Sequence, residues 1–108
     1  MDDRIQVSFQ VTGGMKRALD EYCLTNETGI TAVILDALKT QKIPVPRGYK
    51  AISRRRAMRD SYPEFTKITA VIPLSVHHAL QERQIAEPLS ATDILMKGLA
   101  KLGITASD

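Results

Sequence analysis

The sequence predicts a mainly α-helical protein with one two-stranded antiparallel ribbon, built from two fused strand–helix–helix units that share a core about a pseudo-twofold axis. Three observations predict it. Arg4-Ile5-Gln6-Val7-Ser8-Phe9-Gln10-Val11-Thr12 alternates polar and apolar residues with period two, the pattern of a half-buried strand. The alternation returns in Thr66-Lys67-Ile68-Thr69-Ala70-Val71-Ile72. A shift of 61 residues then overlays the two halves without a gap: Val7 falls on Ile68, Phe9 on Ala70, Val11 on Ile72, Ala18 and Leu19 on Ala79 and Leu80, Thr31 on Thr92, and Leu38 on Leu99. An apolar register held from strand to second helix marks a duplicated supersecondary unit.

Each element has a local reason. Thr12 is a helix-capping residue type. From Met15 the spacing turns helical, with Met15, Ala18, Leu19 and Tyr22 on one face and Lys16, Arg17, Asp20 and Glu21 on the other. Gly13-Gly14 stand where the second copy has Leu74-Ser75, so the first helix is expected to start late. Asn26-Glu27-Thr28-Gly29 breaks it. A second helix is predicted from about Ile30 to Gln41, striped by Val33, Ile34, Ala37 and Leu38 and ended by Pro44 and Pro46. In the second copy Pro73 suits a first helical position, and Val76, Ala79, Leu80 and Arg83 follow at helical spacing. After a turn at residues 86–89, Ser90 caps the last helix, with Asp93 three residues on. Ile94, Leu95, Leu99 and Leu102 form its stripe and Gly103 ends it. The organisation is residues 1–41, a basic linker 42–64, and 65–108, together one compact domain. Residues 50–60 of the linker are expected to form a short helix with Ala51, Ile52 and Met58 toward the core.

Charge is unevenly spread. Lys39 to Asp60 holds eight basic residues and one acid, whereas the rest holds seven basic and eleven acidic residues. A +7 centre between acidic flanks suits a polyanionic partner; the same stretch also reads as a solvated linker. The single Cys23 excludes an internal disulfide and a Cys-based zinc site. Met1-Asp2-Asp3-Arg4 lacks the layout of a signal peptide, and no apolar run approaches the ~18 residues of a membrane span. A soluble cytoplasmic protein is expected. No P-loop, nucleophile elbow or acidic pair is present, and the adjacent His77 and His78 point in different helix directions. No enzyme activity, metal or cofactor is therefore expected.

One strand–helix–helix unit cannot bury its strand. Two copies can, by pairing their strands over four helices. The polar faces Gln6, Ser8, Gln10 and Lys67, Thr69, Val71 then lie side by side outside. A ribbon of this kind fits the major groove, where Gln suits an adenine edge, Lys a guanine edge, and the Thr and Val methyls the thymine methyl. The alternative is that these are ordinary exposed strand residues. The starts of the second helices, Gly29-Ile30-Thr31 and Ser90-Ala91-Thr92, carry unpaired backbone N–H groups suited to phosphate. Arg4, Arg54, Arg55, Arg56 and Arg59 are further candidate phosphate contacts.

The strand–helix–helix order resembles the ribbon-helix-helix (MetJ/Arc) family of DNA-binding proteins. Val71-Ile72-Pro73-Leu74-Ser75-Val76 is similar to that family's strand-to-helix junction, and Ser90-Ala91-Thr92-Asp93-Ile94-Leu95 to the start of its second helix. The resemblance covers residues 4–41 and 65–103. A fused pair is similar to tandem members of DNA transfer, the TraY class of conjugation accessory proteins and the virulence C2 protein of T-DNA transfer. It implies sequence-specific double-stranded DNA binding as a monomer with an internal pseudo-dimer, alongside other DNA-transfer or transcription proteins. A repressor of the same fold and an antitoxin-like interaction module are the alternatives; the short Ile104–Asp108 tail speaks against the latter.

Replacing Arg54, Arg55 and Arg56 with Ala should weaken DNA binding equally across sequences and flatten its dependence on salt. An unchanged salt slope in a titration at several ionic strengths would show that the linker does not touch DNA.

Overall fold

A computed structural model describes residues 3–46, 49 and 62–105. Six elements follow one another: β1 (Arg4–Thr12), α1 (Gly13–Thr25), α2 (Ile30–Thr40), β2 (Phe65–Pro73), α3 (Leu74–Ala86) and α4 (Ala91–Lys101). Each element of the first half has a counterpart of equal length 61 positions on. β1 and β2 form a two-stranded antiparallel sheet, with Arg4 opposite Pro73 and Thr12 opposite Phe65 at its ends. The apolar strand faces turn inward: Phe9, Val11, Ile68, Ala70 and Ile72 are buried against Leu19, Ile34, Leu38, Leu80, Leu95 and Leu99 of the helices. The core is aliphatic apart from Phe9, Met15 and Cys23, in keeping with the low aromatic content.

The second strand is longer than the alternation suggests by one residue at each end. Pro73, expected at the first helical position, instead closes β2 and caps α3 with φ −60° and ψ 144°, so the helix starts one residue later, at Leu74. The expectation that the first helix starts late is wrong. α1 begins at Gly13 because Thr12 accepts a hydrogen bond from the Met15 N–H at 3.1 Å, while the Gly13 N–H donates to the Glu64 carbonyl at 2.9 Å. Gly13 is glycine for a different reason: the Pro63 carbonyl oxygen occupies the space a Cβ would fill. The matching contact recurs in the other half, where the Leu74 N–H donates to the Asp3 carbonyl at 2.8 Å.

The polar face assigned to α1 also needs correction. Lys16 and Asp20 are buried, at 6% and 2% exposure. Lys16 Nζ donates to Asp20 Oδ1 at 2.7 Å, and the Tyr62 hydroxyl donates to Asp20 Oδ2 at 2.9 Å. Both carboxylate oxygens are satisfied, which is the condition for burying the charge. The end of the linker thus straps over α1. At its other end Ile43 is buried, and Val45 and Tyr49 pack against the core. The short helix expected over 50–60, with Ala51, Ile52 and Met58, lies outside the described residues.

The helix ends repeat as well. After α4 the Ile104 N–H reaches back to the Leu99 carbonyl at 2.9 Å across Gly103, at φ 85°. After α2 the Ile43 N–H reaches the Leu38 carbonyl at 3.2 Å across Lys42, at φ 65°. Both are the six-to-one bond of a Schellman-type cap. Beneath the ribbon α2 and α4 cross closely: the Ala37 carbonyl stands where a Cβ on Gly98 would sit. Ala37 and Gly98 are themselves 61 positions apart.

Gly98→Ala sets two effects against each other. Ala gains about 1 kcal/mol in helix propensity, but overpacking against backbone costs about 1–3 kcal/mol. A net loss of stability is expected in urea unfolding. Equal or higher stability would mean that the crossing is not tight.

Candidate nucleic-acid interface

The outward face of the ribbon collects residues in cross-strand pairs because side chains alternate along a strand. Gln6 stands opposite Val71, Ser8 opposite Thr69 and Gln10 opposite Lys67. The register therefore brings together all six side chains expected to read bases. Five are exposed and Val71 is half-buried. Ser8 Oγ lies 3.5 Å from Thr69 Oγ1 at the middle of the ladder, at the limit of a hydrogen bond. Successive outward pairs are spaced by two residues, roughly 7 Å. The three pairs thus form a polar strip about 14 Å long, with amide and ammonium groups at one end and an amide beside a valine at the other.

The strip continues at both ends. Arg4 is exposed opposite Pro73, and Phe65 is 56% exposed opposite Thr12. Phe65 was missed because the second strand was expected to begin at Thr66; one more step of the alternation would have included it. At the Arg4 end a residue from the linker intervenes. The guanidinium carbon of Arg4 lies 5.4 Å from the centroid of the Tyr49 ring. The Tyr49 hydroxyl donates to the Val71 carbonyl at 2.9 Å. Nothing in the local sequence signals this contact, since Tyr49 is remote in the chain from both partners.

The helix starts differ in what is left for a ligand. The first N–H groups of α1 and α3, at Gly13 and Leu74, are taken by backbone carbonyls. At the start of α2, Gly29 makes no side-chain cap; Gly29 and Ile30 are buried and Thr31 is half-buried. At the start of α4, Ser90 Oγ accepts from the Asp93 N–H at 3.1 Å, and Asp93 Oδ2 accepts from the Ser90 N–H at 3.3 Å. This is a complete capping box. Ser90, Ala91 and Thr92 thus share their helix start with a carboxylate, whereas Gly29, Ile30 and Thr31 do not. Arg54, Arg55, Arg56 and Arg59 lie outside the described residues.

The His77 and His78 rings are 6.2 Å apart and tilted by 42°. Among the described residues, no group of three or more His, Cys, Asp or Glu side chains gathers as a metal site. Cys23 is buried at 1% exposure. Among the described residues no helix is long and apolar enough to cross a membrane.

Set against protein-family models, curated proteins and solved structures, the chain matches none of them.

Proposed function

We propose that the protein binds double-stranded DNA sequence-specifically by laying the β1–β2 ribbon into the major groove. It does so as a tandem ribbon-helix-helix in one chain. The observation that supports this most strongly is the register. Of all antiparallel registers, the ladder adopts the one that sets Ser8 against Thr69, residues 61 apart in the sequence. Ala37 and Gly98, with the same offset, meet at the α2–α4 crossing. A pseudo-twofold axis through both contacts is what two copies replacing two subunits require.

The chemistry of the outward strip supports base reading. Gln6 and Gln10 offer bidentate amides, Lys67 a guanine-directed ammonium, and Thr69 and Val71 methyl groups for thymine. All but the half-buried Val71 are exposed, so they are open to base edges. The start of α2 supplies N–H groups for a flanking phosphate, which positions the protein without reading sequence. The basic linker adds charge that favours a polyanion. A role in plasmid or T-DNA transfer follows from the likeness to tandem family members; a repressor would bind DNA in the same way.

A homodimer presents identical halves and reads a palindrome. This ribbon presents Gln6/Val71 on one side of its centre and Gln10/Lys67 on the other, so the recognition site is asymmetric. Selection from random duplex DNA should return one non-palindromic sequence per protein molecule. Gln6→Ala and Lys67→Ala should each lose about 1–3 kcal/mol of discrimination at a single, different position, while changing stability by no more than about 0.5 kcal/mol because both side chains are exposed. A symmetric inverted repeat under one molecule would overturn the asymmetric reading, and the absence of any enriched sequence would overturn base reading itself.

A further inference from the structure

We propose that Tyr49 is a positioning residue that holds Arg4 ready to contact DNA at one end of the ribbon only. The proposal rests on the DNA-binding reading above and adds to it a linker residue and a polarity.

Arg4 is exposed on the outward face, and Pro73 opposite it has no side-chain donor. Among the described residues its guanidinium pairs with no carboxylate; the ion pairs there are Lys16–Asp20 and Arg83–Glu87. What it has instead is the Tyr49 ring, 5.4 Å from guanidinium carbon to centroid, within the ~6 Å reach of a cation–π contact. Such a contact orients the planar fork without using up its N–H donors. They stay available for a paired acceptor, either guanine O6 and N7 or two phosphate oxygens.

Tyr49 is itself fixed. Its hydroxyl donates to the Val71 carbonyl at 2.9 Å, and its ring is half-buried against the core. One side chain therefore ties the linker to β2 and steadies the first residue of β1. Among the described residues no cation–π pair of this kind stands at the other end of the ribbon. The position 61 residues after Arg4 is Phe65, an exposed aromatic residue without charge. A cation at one end and a phenyl ring at the other give the strip a direction.

The test is a double-mutant cycle on duplex DNA carrying the selected site, titrated at several salt concentrations, with a thermal melt of each variant. Arg4→Ala should weaken binding about ten-fold. Tyr49→Leu should weaken it about three-fold, and the Arg4→Ala/Tyr49→Leu pair should bind no more weakly than Arg4→Ala alone. Tyr49→Phe keeps the ring and should restore most of the loss seen in Tyr49→Leu. A salt slope lower by about one in Arg4→Ala identifies phosphate as the acceptor; a loss confined to sites with guanine at that end identifies the base. Either result supports the proposal. Should Tyr49→Leu melt early, Arg4→Lys carries the test: it keeps the charge, loses the planar fork, and should bind about three-fold more weakly. Wild-type binding by Arg4→Ala or Arg4→Lys, or a Tyr49→Leu loss that persists unchanged without Arg4, would overturn it. Failure of the wild-type protein to bind duplex DNA would instead remove the DNA-binding reading beneath it.

Discussion

Among the described residues β1 and β2 pair in a sheet with each other alone, and the rest of the structure depends on their meeting in one register. A slip of one residue would turn Val7, Phe9 and Val11 outward and bring Gln6, Ser8 and Gln10 into the core. The buried face forbids that slip: Phe9 is 2% exposed and Ile72 fully covered. Hydrophobic burial beneath the ribbon thus determines which polar groups lie above it. The close crossing of α2 and α4 at Ala37 and Gly98 holds the floor of this arrangement, because a thicker crossing would push the helices apart and loosen the ribbon from them.

The two halves share a scaffold and differ in trim. The end of the linker lies on α1, where Tyr62 completes the buried Lys16–Asp20 pair. The corresponding positions of α3 hold His77 and Gln81, half-buried and exposed. Losing either member of that buried ion pair strands the other charge and typically costs about 3–5 kcal/mol, and the Tyr62 hydroxyl ties the strap to the first half through its hydrogen bond to the Asp20 carboxylate. The helix starts differ in the same spirit, with a carboxylate in the cap of α4 and none at α2. These differences are absent from a homodimer by construction.

Most of the fold was legible in the sequence because period-two and helical spacing are direct consequences of alternating and spiralling side chains. Strands and helices fell within a residue or two of their observed bounds, and the outward strip followed from the alternation. Apart from the strand bounds at Phe65 and Pro73 and the Thr12 cap of α1, the misreadings come from contacts made by the linker. Gly13-Gly14 looked like a helix delay, but Gly13 makes room for the Pro63 carbonyl. Lys16 and Asp20 looked solvent-facing but are covered by Tyr62. Tyr49 beside Arg4 had no local signal at all. Periodicity reports what an element does to its own faces; it is blind to a distant segment that comes to lie on them.

The order of the elements along the chain has a consequence in time. Fifty-two residues separate the end of β1 from the start of β2, with two helices and the linker between them. On a ribosome adding ~5–20 residues per second, β1 waits roughly 3–12 s until β2 has been completed at Pro73. Through that interval the first half has an unpaired strand edge above an uncovered apolar face, the features that promote pairing with another unfinished chain. Two first halves joined in this way would form a domain-swapped species. The strand that carries Gln6, Ser8 and Gln10 thus meets the newborn chain's neighbours before it meets any ligand, and closely spaced ribosomes on one message raise the chance of such an exchange.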